Sequence, residues 1–242
     1  MAIKKAKVIA VTSVKGGTGK STFTLNLAGA LSKKQLKTLI IDLDLSSGVI
    51  APSLNIKTVN DIFTLTDDMA NGRYEKPDKY INKYNEYIDI ISSTNDPRNT
   101  LKIYPGYIEN LIKQLEYKYD IILIDTNHTT SNINLTVFDA STLIYYIITD
   151  DLMDLKNMKT MISIYEDMNL KKYKIILNQA INRYIGKYEV KTVLDKNIDY
   201  IIPKEFHEKD IQKYIYSGKI LTLEKNNKGT KIFDTIVQEI IK

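Results

Sequence analysis

The 242-residue chain contains no cysteine, which removes a disulfide framework, a thiolate metal site and a cysteine-held iron–sulfur cluster from consideration. Delivery of metal clusters is disfavoured with them. Only two histidines occur, His128 and His207, and neither has a metal-ligand partner at suitable spacing. Arginine is scarce too, limited to Arg73, Arg98 and Arg183. No apolar run approaches the length needed to span a bilayer. Residues 1–5 lead directly into strand-like sequence and carry no signal-peptide pattern. Neither an internal repeat nor a low-complexity linker interrupts the chain. The expectation is one domain over residues 1–242, at home in a reducing cytoplasm.

Charge is present but unevenly spread. Residues 1–170 hold 19 Lys and Arg against 20 Asp and Glu, whereas residues 171–242 hold 15 against 9. A basic C-terminal third attracts nucleic acid or anionic lipid. The abundance of Lys, Ile, Asn and Tyr is equally the mark of an AT-rich genome and a solvated lysine surface, and both readings stay open.

Apolar runs alternate with helical patterns throughout, which predicts an α/β fold: a mostly parallel twisted sheet of seven or eight strands with helices on both faces. Strands are expected at 7–14, 38–43, 87–92, 121–125, 143–149, 173–177 and 200–202, short and mostly apolar on both faces. Helices are expected at 20–33, 59–71, 106–117, 152–168, 208–217 and 231–241. In the last, Phe233, Ile236, Val237 and Ile240 form one stripe that should pack on the domain. Residues 72–86 are polar and tyrosine-rich and read as a mobile excursion, and residues 226–229 as a turn.

The most informative stretch is Val14-Lys15-Gly16-Gly17-Thr18-Gly19-Lys20-Ser21-Thr22. It follows a β-branched run and opens into a helix-forming one, the setting of a phosphate-binding loop. Its glycines let backbone N–H groups wrap around phosphate oxygens, and the helix behind adds its positive end. Lys20 would reach the β- and γ-phosphates, and the Ser21 hydroxyl would hold Mg²⁺. A strict loop of this kind has glycine where Val14 stands, so this is a variant, marked by Lys15.

Two acidic strand ends lie downstream. Alternation along Ile40-Ile41-Asp42-Leu43-Asp44 puts Asp42 and Asp44 on one side, near the carboxyl edge where such sheets bind ligands. One carboxylate can attend the magnesium shell while the other orients a water for attack on the γ-phosphate. Ile121-Ile122-Leu123-Ile124-Asp125 delivers Asp125 from a buried strand, the Walker B pattern.

The loop with Lys15, the Asp42-Leu43-Asp44 strand and the Asp125 strand together resemble the deviant Walker A ATPases of the ParA/MinD family. The likeness runs along essentially the whole chain. Leu177-Asn178-Gln179 is similar to that family's adenine-reading asparagine, and Ile202-Pro203 with 217–221 is similar to its pattern around the base. The resemblance implies a P-loop NTPase of the SIMIBI class that binds ATP and Mg²⁺ and hydrolyses ATP slowly under partner stimulation. Gly16, Gly17, Thr18, Gly19, Lys20, Ser21 and Thr22 would hold the phosphates, Asn178 and Pro203 the base, and Ser21, Asp42 and Asp125 the metal. Lys15, Lys20 and Asp44 would be catalytic, with Lys15 crossing to the partner's phosphates in an ATP-glued homodimer and Asp44 placing the attacking water.

Within the family the chain most resembles the CpaE/TadZ-like pilus-assembly branch, in Asp42-Leu43-Asp44-Leu45 with Gly48 and in Asp125-Thr126-Asn127-His128. The receiver-like domain usual there is not expected, nor is the basic membrane-targeting helix of MinD-type proteins. DNA partition stays open, with Arg183 and nearby lysines as a candidate nonspecific DNA face. The implied setting is the bacterial cytoplasm, at the nucleoid or a cell pole, with a regulatory protein partner. The alternative function is a nucleotide-bound, weakly hydrolysing scaffold that recruits pilus-assembly proteins. Asn127 replaces a usual proline, so the loop after the Asp125 strand is expected to move differently, and Gln35 replaces a usual glycine before the second strand. Scattered tyrosines, together with Lys15, argue against a bacterial tyrosine kinase.

Overall fold

The computed structural model describes residues 4–179, 187–207, 211–224 and 229–242. Among the described residues, eight strands form one sheet in the order β3-β4-β2-β5-β1-β6-β7-β8. They are β1 (Lys7–Thr12), β2 (Thr38–Leu43), β3 (Asn82–Lys83), β4 (Ile88–Ile91), β5 (Ile121–Thr126), β6 (Leu143–Ile148), β7 (Tyr173–Asn178) and β8 (Tyr200–Ile202). All neighbours pair in parallel except β3 with β4, which closes one edge antiparallel.

Alternation along the strands feeds two separate cores. In β1, Val8 and Ala10 point into one layer, and Ile9 and Val11 into the other. The first layer is covered by α3 (Ile62–Ala70), α4 (Pro105–Leu115), α5 (Asn132–Ala140), α6 (Leu152–Asp167) and α7 (Lys187–Leu194). The second is covered by α1 (Lys20–Ser32), α2 (Ile50–Ser53), α8 (Ile211–Tyr216), α9 (Leu221–Glu224) and α10 (Lys231–Ile241). The stripe of α10 is buried as expected, with Phe233, Ile236 and Val237 fully enclosed. Each such side chain contributes about 1.5–3 kcal/mol by leaving water.

Capping groups decide where elements end. The first strand stops at Thr12 rather than at residue 14, because Ser13 turns its hydroxyl onto the Lys15 carbonyl at 2.5 Å and starts the loop. The third helix begins at Ile62, where the Asp61 carboxylate accepts the Thr64 N–H at 2.8 Å. Gln35, in place of the usual glycine, adopts φ 59° ahead of β2, so that turn does use the left-handed region.

The segment 72–86 is anchored. Asp68 accepts the Tyr80 hydroxyl at 2.6 Å, Arg73 Nε at 2.9 Å and Lys79 Nζ at 3.2 Å, with Tyr80 buried and stacked on Tyr74. Within it lies β3, an edge strand of two residues that carries no periodic signal. The expected helix at 208–217 is described from Ile211 to Tyr216, and residues 208–210 lie outside the described residues. So do Arg183 and most of the expected turn at 226–229.

Candidate nucleotide site

The carboxyl edge of the sheet gathers most of the candidate residues. Residues 13–19 loop from β1 into α1, and Gly19 forms the helix N-cap at φ 94° and ψ 22°. Only glycine takes that conformation without strain. A Cβ at Gly19 would also sit 2.5 Å from Asn178 Nδ2, so space and backbone torsion demand the same residue. Thr18 and Lys20 are buried, whereas Lys15, Gly16 and Gly17 are exposed to approach from outside. Thr22 is half-buried on the first turn of α1.

Register brings the two acidic strands together. Asp42 of β2 lies directly beside Asp125 of β5, and both side chains are buried on the α1 side of the sheet. Ser21 donates its hydroxyl to Asp125 Oδ2 at 2.5 Å, and Thr24, one turn on, reaches Oδ1 at 3.3 Å. Burial pushes the Asp125 carboxyl up to about 7, against the lowering effect of the Ser21 hydroxyl and the Lys20 ammonium. Asp42 is raised well above its ordinary value, first by burial and then by the charge of Asp125. Its oxygens accept the N–H groups of Asp44 and Ile50, each at 3.1 Å, and so brace the turn that carries Asp44.

These groups fit a magnesium ion. Asp125 is a buried carboxyl with a hydroxyl already against it, and a cation beside it would offset the cost that burial imposes on its charged form. Among the described residues no cluster of three or more His, Cys, Asp or Glu side chains could hold a metal alone. Magnesium takes one or two protein ligands and completes its shell from phosphates and water. When bound, it would offset the charge on the β- and γ-phosphates.

A cleft of about 750 Å³ opens from the loop, lined by Gly16, Gly17, Lys20 and Asp44 together with residues of the 100–105 and 127–134 segments. Asp44 therefore faces the phosphate end. The loop after β5 forms the other wall. There Asn127 Oδ1 accepts the Thr129 N–H at 3.0 Å and Asn134 Nδ2 at 2.9 Å, so an Asx turn tied to α5 opens the loop. His128 stands over Gly16, whose Cβ position is 3.6 Å from the imidazole.

Lys15 lies outside the residues lining this cleft. Its ammonium is 3.0 Å from Asp151 Oδ1, in the same chain. Asp151 caps α6, accepting the N–H groups of Met153 at 3.0 Å and Asp154 at 3.1 Å. Asn178 and Pro203 sit on the far side of the loop. Asn178 Nδ2 donates to the Thr18 carbonyl at 2.8 Å, and Pro203 caps a single 3₁₀ turn, Lys204–Phe206, after β8. Sequence reasoning did not assign roles to Thr24, Asp151 or His207. The i+3 spacing of Thr24 from Ser21 was a readable signal, but the other two are brought in only by folding.

Comparison with known proteins agrees with this geometry. The family model described as the CobQ/CobB/MinD/ParA nucleotide binding domain matches residues 9–205. The septum site-determining protein MinD of Thermotoga maritima is 24% identical over 242 residues, covering 96% of this chain and 87% of that protein. A solved ParA family ATPase of Chlorobium tepidum superposes with a TM-score of 0.84 at 23% identity, over 96% of this chain and 98% of that one. MinD of Pyrococcus horikoshii, solved with Mg-ADP, gives 0.78 at 24%, over 98% and 96%. A partial match is the tyrosine-protein kinase CpsD of Streptococcus agalactiae, 29% identical over 135 residues, 51% of this chain and 53% of that protein. With the loop, the paired acidic strands and the eight-strand sheet in place, the chain belongs to the MinD/ParA nucleotide-binding domain family.

Proposed function

We propose that the protein is a Mg²⁺-dependent ATPase that works as a dimerisation switch, slow on its own and stimulated by a protein partner. The observation that carries this reading is the phosphate loop with a second lysine, Lys15, exposed and held by a surface ion pair to Asp151. In an ATP-bound pair of subunits, that ammonium would leave Asp151 and meet the partner's triphosphate. A charge-assisted contact of this kind favours the associated state, and losing the γ-phosphate removes it.

In this reading Gly16 to Thr22 cradle the phosphates, with Lys20 on the β- and γ-oxygens. Ser21 and Asp125 hold the metal, backed by Asp42 from the adjacent strand. Asp44 orients the attacking water from the cleft wall. Asn178 and Pro203 receive the adenine. The Mg-ADP bound to the Pyrococcus relative supports the ligand assignment.

The cargo we propose is either partitioned DNA or a pilus or cell-pole machine. No helix among the described residues is long and apolar enough to cross a membrane. Light scattering with and without Mg·ATP tests the switch. We expect a shift from monomer to dimer that Lys15→Ala abolishes and Asp44→Ala prolongs; one unchanged mass throughout removes the proposal. Phosphate release in the presence of DNA or partner distinguishes the switch from a nucleotide-holding scaffold, which would show no turnover under any condition.

A further inference from the structure

The Asn178 carboxamide is gripped at both ends. Its Nδ2 donates to the Thr18 carbonyl at 2.8 Å, and a backbone carbonyl can only accept, so the NH₂ end must face the phosphate loop. Its Oδ1 then points at His207 Nε2, 2.6 Å away. That oxygen also only accepts, so the imidazole carries its proton on Nε2 and donates it. Burial holds the His207 pKa below its ordinary value, which keeps the ring neutral in this tautomer near pH 7.

His207 is itself fixed from the core. Its backbone N–H donates to the Lys204 carbonyl at 2.9 Å, and its ring meets Phe206 edge-on at 5.2 Å. Phe206 is buried against Phe233 of α10 at 5.2 Å, which in turn packs on Phe23 of α1 at 5.6 Å. A line of aromatic rings therefore sets where the imidazole donates.

A carboxamide without such partners turns over easily about its last torsion, exchanging donor and acceptor ends. The two purines differ at that edge. Adenine offers the N6 amino donor beside the N7 acceptor, whereas guanine offers two acceptors, O6 and N7. We propose that His207 is a positioning residue that locks the Asn178 carboxamide in one orientation and thereby makes the site select adenine over guanine nucleotides. Oδ1 keeps a second lone pair for the N6 amino group, and Nδ2 keeps a second hydrogen for N7. Guanine O6 would meet the locked Oδ1, acceptor against acceptor. This inference rests on the nucleotide reading given above.

The test compares ATP and GTP affinities, by calorimetry on the full chain, for His207→Ala, His207→Phe and His207→Gln. The phenylalanine variant keeps the ring volume without a donor, and covers the case in which alanine fails to fold. The glutamine variant keeps a donor. We expect the ATP-to-GTP preference to fall about tenfold in the Ala and Phe variants, the scale of one hydrogen bond, and to return with Gln. An unchanged preference in a folded Ala or Phe variant overturns the proposal, as does a loss of both affinities in proportion, which marks a merely structural role. Wild-type protein that binds neither nucleotide overturns the nucleotide reading itself, a result distinct from either.

Discussion

The ammonium of Lys15 is paired with Asp151 of its own chain, 3.0 Å from nitrogen to oxygen, with both side chains about two-fifths exposed. The pair lowers the Asp151 pKa, Lys15 being the largest cause. At that exposure solvent screens the pair, which is firm enough to park a lysine and weak enough for a triphosphate to take it.

Removing the charge at position 151 should therefore favour the dimer. Asp151→Asn keeps an oxygen to cap α6 but loses the ion pair, since asparagine caps helices about as well as aspartate. We expect the Mg·ATP concentration at half-dimerisation to fall about two- to fivefold, the range a weak surface pair allows. Light scattering across an ATP titration checks this, and a curve identical to wild type would show that the ion pair does not hold Lys15 back.

Asp44 lines the cleft beside Gly16, Gly17 and Lys20. If it places the attacking water, Asp44→Ala should cut ATP turnover at least about 100-fold, as loss of a positioned acid–base group does. Nucleotide affinity should stay near wild type. A phosphate-release assay beside a binding isotherm separates the two, and parallel losses in both would assign Asp44 to binding instead.

Gly19→Ala should abolish nucleotide binding. The alanine must sit at φ 94° with its Cβ 2.5 Å from Asn178 Nδ2, so either the loop or the carboxamide moves. The left-handed backbone alone costs about 1–2 kcal/mol. The measurable outcome is loss of heat on ATP injection with a melting temperature lowered by a few degrees. Normal ATP affinity would show that the loop tolerates the displacement.

The sign of the pH dependence follows from Asp125. Its carboxyl titrates near 7 in the fold against 3.8 when free, so the folded chain keeps a proton that the unfolded chain releases. Stability from this group is full below the free value and is lost as pH rises through about 7. Asp42 acts in the same direction. The nucleotide-free protein should melt at lower temperature as pH rises from about 5 to about 8, and Asp125→Asn should flatten that slope. Saturating Mg·ATP should flatten it too, since a cation beside the carboxylate favours the charged form. Scanning fluorimetry across pH reads all three, and a slope of opposite sign would place another group in control.

Much of the fold was legible because two periodicities dominate this chain. Seven of eight strands and six helices announced themselves through apolar runs and stripes, and the Phe233-Ile236-Val237-Ile240 stripe proved to be core. What escaped is mostly short or polar, although α7, with Val190 and Leu194 in the core, escaped as well. The two-residue β3 has no room for a pattern, and α5 lies under a run of Thr, Ser and Asn, although Ser131 caps it by accepting the Asn134 N–H at 3.2 Å. Element ends moved by one to three residues wherever a side chain such as Asp61 or Ser13 captured a backbone group.

Local order along the chain was enough to determine the phosphate loop, because residues 14–22 are contiguous and their chemistry depends on immediate neighbours. It was likewise enough to place Asp42 and Asp125 at strand ends. Contacts between residues far apart in the chain were decided only by tertiary packing. The register of β2 against β5 set the two buried carboxylates side by side. The crossing of α6 past the loop gave Lys15 its partner in Asp151, and the aromatic line from Phe23 through Phe233 and Phe206 brought His207 onto Asn178. Such pairings depend on how whole layers pack, a quantity that no window of sequence contains.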